Sequence, residues 1–141
     1  MKEKTIDKKL LKKTPMSNVK FQIEFVLRSS PKLLYNYIST PSGLAEWFAD
    51  NVNARTDKFV FIWDDAEEIA YLLNKKQDRV VRFRWEEKDD DTYWEMKIEV
   101  DELTKDVSLI VTDFADDDEE VEESKMFWDN QISELKHVIG S

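Results

Sequence analysis

The spacing of apolar residues changes several times along this chain, and each change marks an element. Phe21, Ile23, Phe25 and Leu27 alternate with Lys20, Gln22 and Glu24, a period of two that predicts a strand with one buried face. Ser29, Ser30 and Pro31 end it and open a helix, with a serine as N-cap and proline at the first position. Leu34, Tyr37 and Ile38 continue at helical spacing. The stretch TPSGLAEWFAD, residues 40–50, predicts a turn at Pro41, Ser42 and Gly43 and a second short helix over 44–49. Gly43 is one of two glycines in the chain. Its place between two helices predicts a reversal that uses glycine's freedom at positive φ. Leu44, Trp47 and Phe48, at i, i+3 and i+4, give that short helix one apolar face.

The middle of the chain reads as strand after strand. Phe59, Phe61 and Trp63 alternate with Val60 and Ile62, DDAE makes a turn, and Ile69, Tyr71 and Leu73 alternate again. DRVVRFRWEE, residues 78–87, sets Val81, Phe83 and Trp85 on one face and Arg82 and Arg84 on the other. TYWEMKIEV, residues 92–100, sets Trp94, Met96, Ile98 and Val100 inward against Tyr93, Glu95, Lys97 and Glu99. These two segments are expected to form a hairpin in which Trp85 faces Trp94, Phe83 faces Met96 and Arg84 faces Glu95. A slip of one residue would turn every apolar side chain outward. DVSLIVTDF is the last strand.

Residues from about 117 to 139 are the long helical stretch, where Val121, Trp128, Ile132, Leu135 and Ile139 form one apolar stripe. Such a helix is roughly 30 Å long, close to the length of a ten-residue strand at roughly 33 Å. The order is thus strand, two helices, about six strands joined by short turns, and one long helix. It predicts an α+β domain with an antiparallel sheet of about six to seven strands. The aromatic face of that sheet needs a cover, and the terminal helix is the element long enough to supply it.

Thr40, Leu44, Trp47 and Phe48 spell T-x-x-x-L-x-x-W-[WF] after the first helix, and TDFA stands at 112–115. With the element order, these segments make the chain resemble the START-like, or SRPBCC, superfamily and its helix-grip fold. The local match is nearest to the branch of homologues of the activator of heat-shock-protein ATPase, and to small bacterial START-like proteins of undefined function. It covers about residues 18–139. The resemblance implies a curved sheet wrapped around a long C-terminal helix, with a cavity beneath the helix that the helix-turn-helix closes at one end. It implies no single activity, because lipid carriers, cyclases, hydroxylase domains and co-chaperones share the scaffold. That branch usually carries glycines in the strands after the tryptophan, whereas FVFIWDDAEEIAYLLN, residues 59–74, has none. Bulky residues there are expected to fill space that other members leave open.

Composition narrows the chemistry. The chain has 141 residues, 41% hydrophobic and 12% aromatic, enough for one domain with a sizeable core. It has no cysteine, which excludes disulfides, thiolate catalysis and sulfur-ligated zinc. No apolar run approaches the roughly 20 residues of a membrane span, and no signal peptide is visible, so a cytoplasmic location is expected. The net charge of −10 combines two regions of opposite sign, because residues 1–15 carry six lysines against Glu3 and Asp7. Residues 1–16 read as a basic, disordered tail, with Met16 as an alternative start, and 17–141 as the single domain. An acidic body repels phosphate backbones, which argues against a nucleic-acid partner.

Candidate reactive groups are few. His137, the one histidine, lies two residues from Leu135 and so faces away from the apolar stripe. DFADDDEEVEE lacks the glycine of a calcium loop and reads instead as a helix start, with Asp117 as N-cap and Glu120 three residues on. Its other acids sit beside the positive end of the helix dipole. Arg82 and Arg84 beside Glu95 and Glu99 are placed by alternation on the outer face, as cross-strand pairs. No acid–base pair presents itself, and neither a metal nor a cofactor is expected.

The aromatic set Phe61, Trp63, Phe83, Trp85 and Trp94, with Met96 and with Trp128 from the covering helix, is the candidate site. Its two readings are a packed core and a partly open apolar pocket. Trp47 and Phe48 are likewise either core plugs or a gate touching a ligand. The leading expectation is a non-catalytic module that holds a small hydrophobic or lipid-like molecule between sheet and helix. The alternatives are a protein-interaction or co-chaperone-like module using the acidic surface, and a cyclase- or dehydratase-type enzyme.

Overall fold

The computed structural model describes residues 18–88 and 90–140. The basic segment 1–16, expected to be a disordered tail, lies outside the described residues. β1 (Val19–Leu27) is followed by α1 (Pro31–Ser39), α2 (Pro41–Leu44), β2 (Asn51–Arg55), β3 (Lys58–Trp63), β4 (Ala66–Lys76), β5 (Val80–Trp85), β6 (Trp94–Val100), β7 (Val107–Ala115) and α3 (Asp118–Ile139). The seven strands form one curved antiparallel sheet in the order β1-β7-β6-β5-β4-β3-β2. Successive hairpins build β2 to β7, and β1 joins at the β7 edge, where Val19 opposes Ala115 and Leu27 opposes Val107. The cover is shared among helices: α3 lies over β1 and β7, and α1 lies over β5 and β6.

The helices begin and end where their caps allow. The Ser30 hydroxyl accepts from the Leu33 amide at 3.1 Å, with Pro31 in the first turn. Asp117 caps α3 by accepting from the Glu120 amide at 2.8 Å, while Glu120 reaches back to the Asp116 amide at 3.2 Å. This is a capping box displaced by one residue at its return bond. At the other end Gly140 adopts φ 76° and its amide donates to the His137 carbonyl, the left-handed stop that glycine permits. Val121, Trp128, Ile132 and Leu135 are buried along α3, and His137 is exposed.

Four local expectations need correction. First, the helical residues after Thr40 are 41–44, ahead of the expected 44–49; the Thr40 side chain caps them by accepting from the Gly43 amide at 2.9 Å. Gly43 therefore sits inside the helical turn, and Gly140 is the glycine with positive φ among the described residues. A Cβ on Gly43 would stand 2.7 Å from Tyr37 Cα and 2.8 Å from Thr40 Oγ1, and closer still to the Asn36 carbonyl oxygen. Close backbone approach of α2 to α1 is what requires glycine here.

Second, β2 is an additional strand, hard to see because Val52 is its one buried residue. Third, β4 presents Ala70 and Leu72 inward, opposite Phe59 and Phe83, while Tyr71 and Leu73 are exposed. The small Ala70 leaves room for the bulky rings on both neighbouring strands, and an irregularity between Leu72 and Asn74 resets the register.

Fourth, the β5–β6 hairpin pairs Val81 with Met96, Arg82 with Glu95 and Phe83 with Trp94. That is a shift of two residues from the expected pairing, which preserves the inner face but changes every partner. Arg84 accounts for the difference. Its guanidinium donates to the carbonyls of Asp90 and Thr92, so it fastens the connection between the strands and does not reach Glu95. Arg82 takes that place, with its guanidinium 2.8 Å from Glu95 and 3.9 Å above the Tyr93 ring.

Candidate functional site

The inner face of the sheet carries a contiguous aromatic cluster. Phe83 and Trp94, cross-strand partners, stack with ring centroids 4.5 Å apart. Trp85 also stacks on Trp94, at 5.1 Å. Phe48 lies between sheet and α3, stacked on Trp94 at 5.2 Å and edge-on to Phe61 at 5.3 Å. Trp128 approaches both Trp94 and Phe48, at 6.0 and 5.8 Å. These separations are those of rings in van der Waals contact, and Phe48, Phe61, Phe83, Trp94, Met96 and Trp128 are buried. The bulky side chains of β3 occupy the space that glycine would leave empty.

The candidate residues differ in position. Trp63 and Trp85 are half-buried, with centroids 6.3 Å apart, and the 44% exposed Phe127 of α3 meets Phe48 and Trp128 edge-on. Trp47 is buried with its ring edge-on to Phe48 at 5.3 Å, and its indole donates to the Tyr37 carbonyl at 2.9 Å, fixing the segment after α2 to α1. Met96 lies between Val81 and Val111 of the neighbouring strands. The Phe48 carbonyl receives both the Trp63 indole at 3.0 Å and the Gln131 amide at 2.6 Å. It therefore ties β3 and α3 to the segment that places its own ring.

Asp113 on β7 is a functional candidate that the sequence reading passed over, an acidic residue within an apolar run. Counting by two from Leu109 through Val111 brings Asp113 to the inner face. Its Oδ2 accepts from the Trp128 indole at 2.9 Å, and its Oδ1 accepts from the Phe114 amide at 2.7 Å. Burial pushes its carboxyl up to about 6; the hydrogen bonds from Trp128 and Phe114 and the nearby Lys88 oppose that shift, and Glu120 adds to it. Asp113 and Trp94 line the same crevice of about 20 Å³, beside Trp85 and Thr92. The indole N–H of Trp94, a residue 1% exposed, has no hydrogen-bond partner among the described residues.

Two other concavities lie outside this interior. A groove of about 770 Å³ runs between α1 and the β4–β5 turn, lined by Lys32, Leu33, Tyr35, Ser39, Lys75 and Asp78 among others. Burial raises the Tyr35 phenol above its usual range, an effect opposed by its bond with Ser39 and reinforced by Asp78. Beside Trp85, a cleft of about 150 Å³ is lined by Glu67, Glu68, Glu86 and Glu87. Among the described residues no three histidine, aspartate or glutamate side chains come together as a metal-ligand set. No helix among them is long and apolar enough to cross a membrane.

Comparison with known proteins places these features in a family. No curated protein matches the chain. The solution structure of BfR322 from Bacteroides fragilis is 33% identical, covers 87% of this chain and 92% of its own, and has a TM-score of 0.63. Two more distant structures share the fold. The Aha1 dimer from Colwellia psychrerythraea is 14% identical over 84% of this chain and 93% of its own, with a TM-score of 0.69. Protein MLL2253 from Mesorhizobium loti is 13% identical over 86% and 97%, with a TM-score of 0.72. The family model of the START-like superfamily domain matches residues 16–141, and the chain belongs to that superfamily.

Proposed function

We propose that this domain is a non-catalytic binding module that takes a small, mostly apolar molecule between the sheet and α3. The observation that carries the proposal is the continuity of the aromatic cluster. It runs from the half-buried rings of Trp63 and Trp85, through Phe48 and Phe61, to the buried Trp94 and Trp128. A ligand entering beside Trp63, Trp85 and Phe127 would exchange ring–ring contacts for ring–ligand contacts and leave few polar groups stranded. The groove at α1 is larger, but it offers an apolar molecule little beyond Leu33 and Tyr35 between lysines and hydroxyls. Asp113 stands without a second ionisable group at hydrogen-bond distance in the described structure, so the interior suits binding better than proton transfer. Titration with the neutral dye Nile red tests this reading. Saturable energy transfer from the tryptophans to the dye is expected, and unchanged tryptophan emission would reject it.

A protein-interaction role is the second reading, favoured by the acidic cleft beside Trp85. Glu67, Glu68, Glu86 and Glu87 would attract a basic segment, with the indole as an apolar contact. Salt-sensitive capture of a lysine-rich peptide, lost in Glu68→Gln/Glu86→Gln, would support it over the ligand reading.

A further inference from the structure

Within that binding function, on which this inference rests, a crevice beside the aromatic cluster is lined by both Asp113 and Trp94, with Trp85 and with the polar side chains of Lys88, Thr92 and Asp116 among others. The Trp94 indole N–H lacks a partner among the described residues. Asp113 uses one acceptor site on each oxygen, for Trp128 and Phe114, which leaves further lone-pair capacity. An unpaired donor buried in apolar surroundings is costly, and a complementary group relieves that cost.

We propose that Asp113 and Trp94 form the polar end of the ligand site and bind the hydroxyl of a neutral, otherwise apolar alcohol or phenol. The hydroxyl donates to the Asp113 carboxylate and accepts from the Trp94 indole. Other polar groups fit less well. An ammonium would satisfy the carboxylate but offers nothing for the indole to donate to. A ligand carboxylate would accept from the indole but face both Asp113 and Asp116 against the single opposing charge of Lys88. A primary amide brings a second polar atom, more than a crevice of about 20 Å³ has room for. The crevice, at about 20 Å³, suits a group the size of one hydroxyl or water, while the apolar remainder of the ligand would extend toward Trp85.

The test compares 1-octanol with octyl methyl ether, which keeps the tail and the acceptor but has no proton to donate. Binding is followed by the indole ¹⁵N–¹H cross-peak of Trp94. The alcohol is expected to bind about tenfold more tightly, as loss of a hydrogen bond to a charged acceptor implies, and to move the Trp94 peak. Asp113→Leu is expected to erase this preference while ether binding persists. Should that variant fail to fold, Asp113→Asn must reduce the preference, because a neutral acceptor is weaker. Equal affinity for the two compounds, or a preference that survives Asp113→Leu, overturns the anchor and leaves the binding function standing. An unmoved Trp94 peak removes the indole from the anchor. Failure of both compounds to bind overturns the anchor and the binding function together.

Discussion

A methyl group on Gly43 would collide with the backbone of α1 at Asn36 and Tyr37. An exposed helical glycine normally gains about 0.5–1 kcal/mol of stability when changed to alanine. Gly43→Ala should do the opposite, losing roughly 1–3 kcal/mol because the neighbouring atoms are backbone and must move. The urea midpoint reads the sign, and a higher midpoint in the variant would refute the packing argument. Asp113 gives a second residue-scale prediction. Its folded value of about 6 lies above the ordinary 3.8, so between them the folded chain holds a proton the unfolded chain has lost. This contribution to stability is present at low pH and is lost as pH rises through about 6, at up to about 1.4 kcal/mol per unit. Asp113→Asn cannot ionise, so its melting temperature relative to wild type should rise from pH 4.5 to pH 7. A constant difference between the two proteins would contradict the burial argument.

Among the elements, α3 depends on its start as well as its apolar stripe. Asp117→Ala removes the bond to the Glu120 amide and should cost about 1 kcal/mol, seen as a lower thermal midpoint with unchanged near-ultraviolet circular dichroism. Element type was largely legible in the sequence because one-sided burial imposes a regular period, as in β1, β5, β6 and α3. Pairing was less legible. The Arg84 contacts that set the β5–β6 register depend on a connection whose path no alternation encodes. The facing of β4 was obscured because Ile69, Tyr71 and Leu73 are larger than the inward Ala70 and Leu72, and size alone favours the wrong face. The inward aromatics could be read from strand parity, and so could Asp113, once an acidic residue is allowed to occupy an inward position. The partnerless indole of Trp94 could not be read, since a missing contact depends on every neighbour at once.

At the scale of the whole molecule, an acidic exterior surrounds an aromatic interior on which the carboxylate of Asp113 borders. Any occupant of that interior must compete with side chains already in contact, so binding and loosening of the core are one equilibrium. The pairing of β1 with β7 has a further consequence, in time. Strands β2 to β7 each find a neighbour that is adjacent in the chain, but β1 must wait for the last strand. During synthesis the alternating apolar face of β1 emerges early and stays unmatched while the whole meander is translated. Its docking is a long-range closure, slow for entropic reasons, and until then the nascent chain exposes an adhesive segment for a chaperone to shield.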